Sequence, residues 1–293
     1  MLRFKICLSV LLVFSFLLTA CSQNILSDTD TDYSDSYYLY DEVNEITIAQ
    51  ADNYVFLEAA KLDSAQYTLP QNFKGEITIT YLGDHLFSRN ETVVDLIVPD
   101  GYEEIGHFAF YECPNLESLT LGKDVKKIGD LAFSCCPKLS KFSVSDENPH
   151  LYEKDGCIIE RETETLVLSN GNIPQGVKII GFCVFVENKK LDNVTIPEGV
   201  EAIMGTAFDF SSVASVLLPD SLKKIDTAAF SRCSELKEIY IPASVVTVGA
   251  HVFYANDGIT INCESESKPD GWDEEWLDGC TNYTINWGVT REG

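Results

Sequence analysis

The chain has 293 residues, 45% of them hydrophobic, and a formal net charge of −25. That length and composition suffice for one sizeable folded body of ordinary globular make-up. So acidic a surface repels nucleic acid and other anionic polymers and excludes them as partners.

Arg3 and Lys5 precede an apolar run from Ile6 to Leu18, and Leu18-Thr19-Ala20-Cys21 closes it with small residues. That order predicts a secretory signal over residues 1–21. The Leu-Thr-Ala-Cys ending resembles a bacterial lipobox, which implies that Cys21 becomes the lipidated N-terminus of the mature protein. Removing residues 1–20 takes away two positive charges, so the net of −25 becomes −27. No other run of about 18 apolar residues exists, so membrane contact is expected through the N-terminal lipid alone. The expected location is the extracellular side of a bacterial membrane.

Ser22 to Tyr40 is rich in Ser, Asp and Thr, and from Asp28 to Glu58 there are nine acidic residues and no basic ones. Residues 22–44 are expected to form a disordered, solvated tether. Asp28, Asp30 and Asp32 mimic the start of a calcium loop, but its sixth position is not Gly and its twelfth is Leu39, so no calcium site is expected. Residues 45–68 alternate loosely (Ile46, Ile48, then Tyr54, Phe56) and read as an N-terminal cap of a strand, with a short helix open to it. Leu69-Pro70, Ile77, Ile79, Leu82-Gly83 and Phe87 then read as a first coil with a small insertion.

From there a period locks in. Phe recurs at 87, 110 and 133, each 23 apart, and again at 185, 208, 230 and 253, spaced 23, 22 and 23. Fixed spacing of this length is the sign of a stacked-coil architecture. The 52 residues from Phe133 to Phe185 leave 29 beyond one period. They lie within about 145–172, where Cys157 to Glu160 and Thr165 to Ser169 flank a polar turn and predict a β-hairpin projecting from one side. Each coil carries L-x-x-L-x-L, as in Leu116/Leu119/Leu121 and Leu236/Ile239/Ile241, whose last two apolar residues alternate as in a half-buried strand. A second apolar pair follows at i and i+3, for example Val125/Ile128 and Leu222/Ile225. Pro99, Pro174, Pro197, Pro219 and Pro242 stand where strand meets turn, where a missing N–H does least harm. No amphipathic segment is long enough for a long helix.

The stretch Leu121 to Leu139 (Val125, Ile128-Gly129, Ala132-Phe133, Cys136, Leu139) resembles the BspA-like leucine-rich repeats of bacterial and protozoan surface proteins, with Gly122 in place of the usual Pro. The resemblance covers residues 69–263. It extends to Lys154-Asp155-Gly156 at the start of the insertion and to Trp272, Trp276 and Trp287 in residues 264–293, which look like the family's end cap. It implies a curved, β-rich leucine-rich-repeat solenoid of short parallel strands and few helices, in coils of 22–23 residues. It also implies adhesion or host interaction without catalysis.

Three residues before each strand's first apolar position stand Asn90, Cys113, Cys136, Asn188, Phe210, Cys233 and Asn256. Asn or Cys at such a turn can bond backbone groups that the turn leaves unpaired, so this column is structural. Phe210 breaks it in the coil that is one residue short. Neighbours in the column, Cys113 and Cys136, would have parallel Cβ vectors, which disfavours a bridge. Cys135, Cys157 and Cys183 read as buried thiols. Cys263 and Cys280 flank the cap and are the pair most open to a disulfide. Cysteine spacing is poor for a metal, and no cofactor is implied. His85 and His251 occupy equivalent turn positions, and nothing brings a base to a reactive thiol there.

Residues between the inward strand positions line one sheet face: Ile97, Thr120, Ser143, Thr195, Leu217 and Tyr240, with Asp95, Ser118, Lys141, Asn193, Ser215 and Glu238 beside them. The first column is the candidate binding face for a protein or a cell-surface polymer. The cap aromatics offer an alternative, stacking on an envelope glycan.

Overall fold

The computed structural model describes residues 37–41, 46–51, 54–60, 64–74 and 77–290. The signal, Cys21 and most of the expected tether lie outside them. The described chain is a β-solenoid in which each coil places one long and one short strand against the same strands of the next coil, in parallel. No helix is present among the described residues, and none is long and apolar enough to cross a membrane.

The N-terminal end is an antiparallel meander of Tyr37–Asp41, Ile46–Ala51 and Tyr54–Ala59. No helix stands in the cap among the described residues, and the first strand falls inside residues 22–44. Tyr37, Tyr38 and Tyr40 explain this, because aromatic residues favour a pleated surface despite the polar run before them. Phe56–Leu57 then pairs in parallel with Tyr81–Leu82 and starts the short-strand ladder.

Three backbone ladders hold successive coils. Long strands stack as Gln66–Thr68, Asp95–Val98, Ser118–Leu121 and Lys141–Val144. They resume as Asn193–Thr195 with Ser215–Leu217, and as Glu238–Ile241, Thr260–Cys263 and Thr284–Trp287. Short strands such as Glu104–Ile105 and Lys127–Ile128 form the second ladder. The third is a turn ladder around the landmark Phe. Phe108, Phe110 and Glu112 donate their N–H groups to the carbonyls of Asp130, Ala132 and Ser134 at 3.1, 2.7 and 3.0 Å.

Every bond of the turn ladder runs the same way, from N–H in one coil to carbonyl in the next. Left-handed backbone at two positions per coil produces this. One row holds His85, Phe108, Leu131, Cys183, Thr206, Ala228 and His251, and the other Arg89, Glu112, Cys135, Glu187, Phe210, Arg232 and Ala255. Side chains with a Cβ resist that region by about 1–2 kcal/mol each, so the stacked coils hold them there.

Inside the coils the Phe rings form two stacks. Phe87, Phe110 and Phe133 lie at centroid spacings of 5.2 and 5.2 Å, and Phe185, Phe208, Phe230 and Phe253 at 4.9, 5.1 and 6.1 Å. Inward strand residues such as Leu96, Val98, Leu119 and Ile239 are buried around them. Each aromatic pair adds about 0.5–1.5 kcal/mol to the burial term.

The two stacks are separated by the insertion, which does not project as the spacing suggested. Leu151–Lys154, Cys157–Glu160 and Thr165–Ser169 make a three-stranded antiparallel meander, and the last strand pairs in parallel with Ile179–Ile180. It therefore enters the short-strand ladder in the place of Lys127–Ile128, which is left as the end strand of its own sheet. Successive residues of the middle strand serve different cores. Ile158 packs in the N-terminal core with Phe133, while Cys157 and Ile159 pack in the C-terminal core with Phe185. Asn148 anchors the entry: its buried amide donates to the carbonyls of Gly122 and Val125, both at 2.9 Å, and accepts from the N–H groups of His150 and Leu151.

Candidate binding face and turn column

Strand alternation and register decide where the candidate face lies. Thr120 pairs with Ile97 on one side and Ser143 on the other, so these three stand in one file. Thr195 and Leu217 form a second file. Tyr240 heads a third that continues through Asn262 and Asn286. The face is thus in three sheets, because Lys141–Val144 does not pair with Asn193–Thr195, nor Ser215–Leu217 with Glu238–Ile241. Ile97 and Leu217 are the apolar exposures, at 40% and 49%. Tyr240 is half-buried, and its hydroxyl donates to the carbonyl of Val289 at 3.2 Å.

The neighbouring polar file largely satisfies itself. Ser118 donates to Asp95 at 2.6 Å and Ser215 to Asn193 at 2.6 Å. The Ser118 hydroxyl holds the Asp95 carboxyl below the usual carboxylate range. Sequence reasoning missed Thr68, Asn262 and Asn286, which extend the candidate file at either end. Following the strand register beyond the landmark Phe residues would have found them.

In the turn column three thiols and one amide reach the backbone of the previous coil. Cys113 donates to Phe87 O at 3.3 Å, Cys136 to Phe110 O at 3.1 Å, Cys233 to Phe208 O at 3.1 Å and Asn256 to Phe230 O at 2.9 Å. Asn90 and Asn188 cap their own turns, accepting from Thr92, Val93 and Lys190 N–H groups. Phe210 does not belong to the column; Ser211 does. Its N–H bonds Phe208 O just as Asn256 N–H bonds Phe253 O, and its hydroxyl lies 3.5 Å from the Cys233 thiol. The missing residue of the short coil is lost after Ser211, and the turn itself is regular.

The bridge between Cys263 and Cys280 is not present: both are free thiols. Cys280 continues the turn column, donating to Asn256 O at 3.0 Å, whereas Cys263 sits in a long strand between Ile241 and Trp287. They occupy different files of the coil. Burial pushes the thiols of Cys233 and Cys263 up to about 12 and that of Cys280 to about 11, so these are packed, protonated groups. Cys113 shifts down, chiefly through its hydrogen bond with Cys136, which shifts up.

His85 stacks on Phe108 at 4.7 Å, and His251 lies 3.8 and 3.7 Å from Glu275 and Asp278. No group of three or more His, Cys, Asp or Glu placed to hold a metal occurs among the described residues. Trp272 and Trp276 are 3% and 4% exposed, and the Trp272 indole donates to Val245 O at 3.0 Å. They close the C-terminal core against Phe253, whereas the cap's Tyr283 is exposed.

With these coils, landmark rings and turn column in view, the profile described as "BspA type Leucine rich repeat region (6 copies)" matches residues 52–154 and 163–282. The chain belongs to the BspA-type leucine-rich repeat family. The two matched stretches meet across the inserted meander. Among solved structures, the pneumococcal vaccine antigen PcpA is 18% identical over 85% of this chain and 85% of its own, with a TM-score of 0.51. A leucine-rich repeat protein from Eubacterium ventriosum is 15% identical over 83% of this chain and 76% of its own, at 0.52. A leucine rich cell surface protein from Faecalibacterium prausnitzii is 17% identical over 87% and 96%, at 0.45. No relative is found among curated proteins.

Proposed function

We propose that this BspA-type repeat protein is a cell-surface lipoprotein that recognises a protein partner with its long-strand face, in adhesion to a host or matrix. The observation that carries the reading is the pair Ile97 and Leu217, apolar and exposed on the long strands in files of otherwise small polar residues. Apolar side chains on an otherwise polar face offer area for a partner to bury, and the buried core of an interface is more apolar than the surface around it. Membership of a repeat family supports a scaffold that presents side chains, and the ligand is then set by those side chains. The lipobox ending at Cys21 supports attachment through lipid. The reading needs no catalytic residue and no cofactor.

Residues 37–293 are to be tested for binding to immobilised fibronectin, collagen and laminin, with Ile97→Glu and Leu217→Glu variants alongside. Binding that falls at least tenfold in either variant is the expected outcome. Equal binding by both would move the site off this face. In the full chain, Cys21→Ser is expected to abolish labelling by radioactive palmitate and release the protein from the membrane fraction.

A further inference from the structure

The turn ladder loses all three of its bonds at one place. Leu131, Phe133 and Cys135 are the equivalents of Phe108, Phe110 and Glu112, but their N–H groups meet no acceptor among the described residues. Across the gap, the carbonyls of Phe182, Val184 and Val186 are the equivalents of those of Asp130, Ala132 and Ser134, and they meet no donor. One lip of the seam is thus a row of free donors and the other a row of free acceptors. Between them opens a cleft of about 290 Å³ lined mostly by apolar groups, among them Phe133, Leu151, Leu166, Leu168 and Met204. Phe182 stands at its rim, 43% exposed.

We propose that this seam is a binding slot for an extended segment of a partner polypeptide, which lies along the lips and sends one apolar side chain into the cleft. Hydrogen-bond chemistry selects this occupant. Covering a backbone group that has no partner is unfavourable, so an acyl chain or other pure hydrocarbon would seal six such groups without a partner. A polypeptide backbone supplies both carbonyls and N–H groups at repeating intervals, as in strand addition to an open sheet edge. The volume is near the lower end for ligand pockets, enough for one large side chain. The charged residues of the lining, Lys126, Lys127, Asp130 and Glu160, balance in sign, which favours a neutral segment. At the far end the seam is tied shut by the Cys135 thiol on Glu187 at 3.2 Å and by Lys190 on Pro137 O at 2.6 Å, so entry is from the Phe182 side.

The probes are capped heptapeptides of Ser and Thr with a central Leu, Phe, Lys or Asp, added to the full chain while amide exchange is followed by NMR. In the free chain the N–H groups of Leu131, Phe133 and Cys135 are expected to exchange at least tenfold faster than those of Phe108, Phe110 and Glu112. The Leu or Phe peptide is expected to slow them at least tenfold, and the Lys and Asp peptides are not. N-methylation of the peptide beside its central residue should abolish the effect. Phe182→Ser should weaken it at least tenfold, while Val246→Ser, at an exposed apolar residue outside the cleft, leaves it unchanged. Exchange in the free chain as slow as in the preceding coil would overturn the proposal. So would the absence of slowing by every peptide, or slowing indifferent to Phe182→Ser.

Discussion

A buried thiol in the turn column is both a hydrogen-bond donor and a titratable group. Cys233 and Cys263 titrate near 12 when folded and near 8.5 when unfolded. An acid whose folded value is raised holds its proton in the native state after the denatured state has lost it, so stability falls as pH rises between those values. Each thiol contributes a slope of about 1.4 kcal/mol per pH unit there. Urea unfolding under reducing conditions should therefore give a lower free energy at pH 10.5 than at pH 8. In Cys233→Asn the slope should shrink, because the Asn256 amide already performs the same bond one coil later. An unchanged slope would assign the alkaline loss elsewhere. The column's chemistry was legible in the sequence from Asn and Cys recurring at one phase. Ser211 was not, because counting back from the strand crosses the place where a residue is missing, whereas counting on from Phe208 does not.

At the scale of one coil, the residue after the short strand Lys127–Ile128 is Gly129, and the backbone of the preceding coil leaves it no room for a side chain. A Cβ on Gly129 would stand 2.6 Å from His107 N and 2.7 Å from Gly106 C. These are backbone atoms, so relief requires the coils to part and two ladders to lengthen. Gly129→Ala is expected to destabilise by about 1–3 kcal/mol, read as a drop in the urea midpoint. Gly171→Ala, where a Cβ meets nothing within 4 Å, should lose less, from its positive φ alone. Loss at Gly171 equal to that at Gly129 would refute the steric account. Two strands of the insertion, Cys157–Glu160 and Thr165–Ser169, were legible as a hairpin, but the first, Leu151–Lys154, was not. Their placement was not, since Asn148 and the burial of Ile158 between two cores are tertiary facts with no local period.

Across the described chain, the seam divides the solenoid into two hydrophobic cores joined by the meander. Stacked repeats share stability only through their neighbours, so a break in all three ladders weakens that sharing. The three Trp residues, Trp272, Trp276 and Trp287, all lie in the C-terminal half. Phe110→Ala, expected to cost about 3–5 kcal/mol, should lower the midpoint of amide exchange in residues 81–136. The Trp fluorescence midpoint should stay within error of the parent; a matching shift would show one cooperative unit. The fold itself was the most legible feature, because seven Phe residues at a single phase leave few other architectures.

The one-way bonding of the turns has an electrical corollary. Peptide dipoles that all point along the stack add, as they do in an α-helix. The sense is reversed, with the positive pole toward the last coil and the negative pole toward the first. The two extremities of the protein therefore differ in potential before any ionised side chain is counted, and an approaching charge can distinguish head from tail.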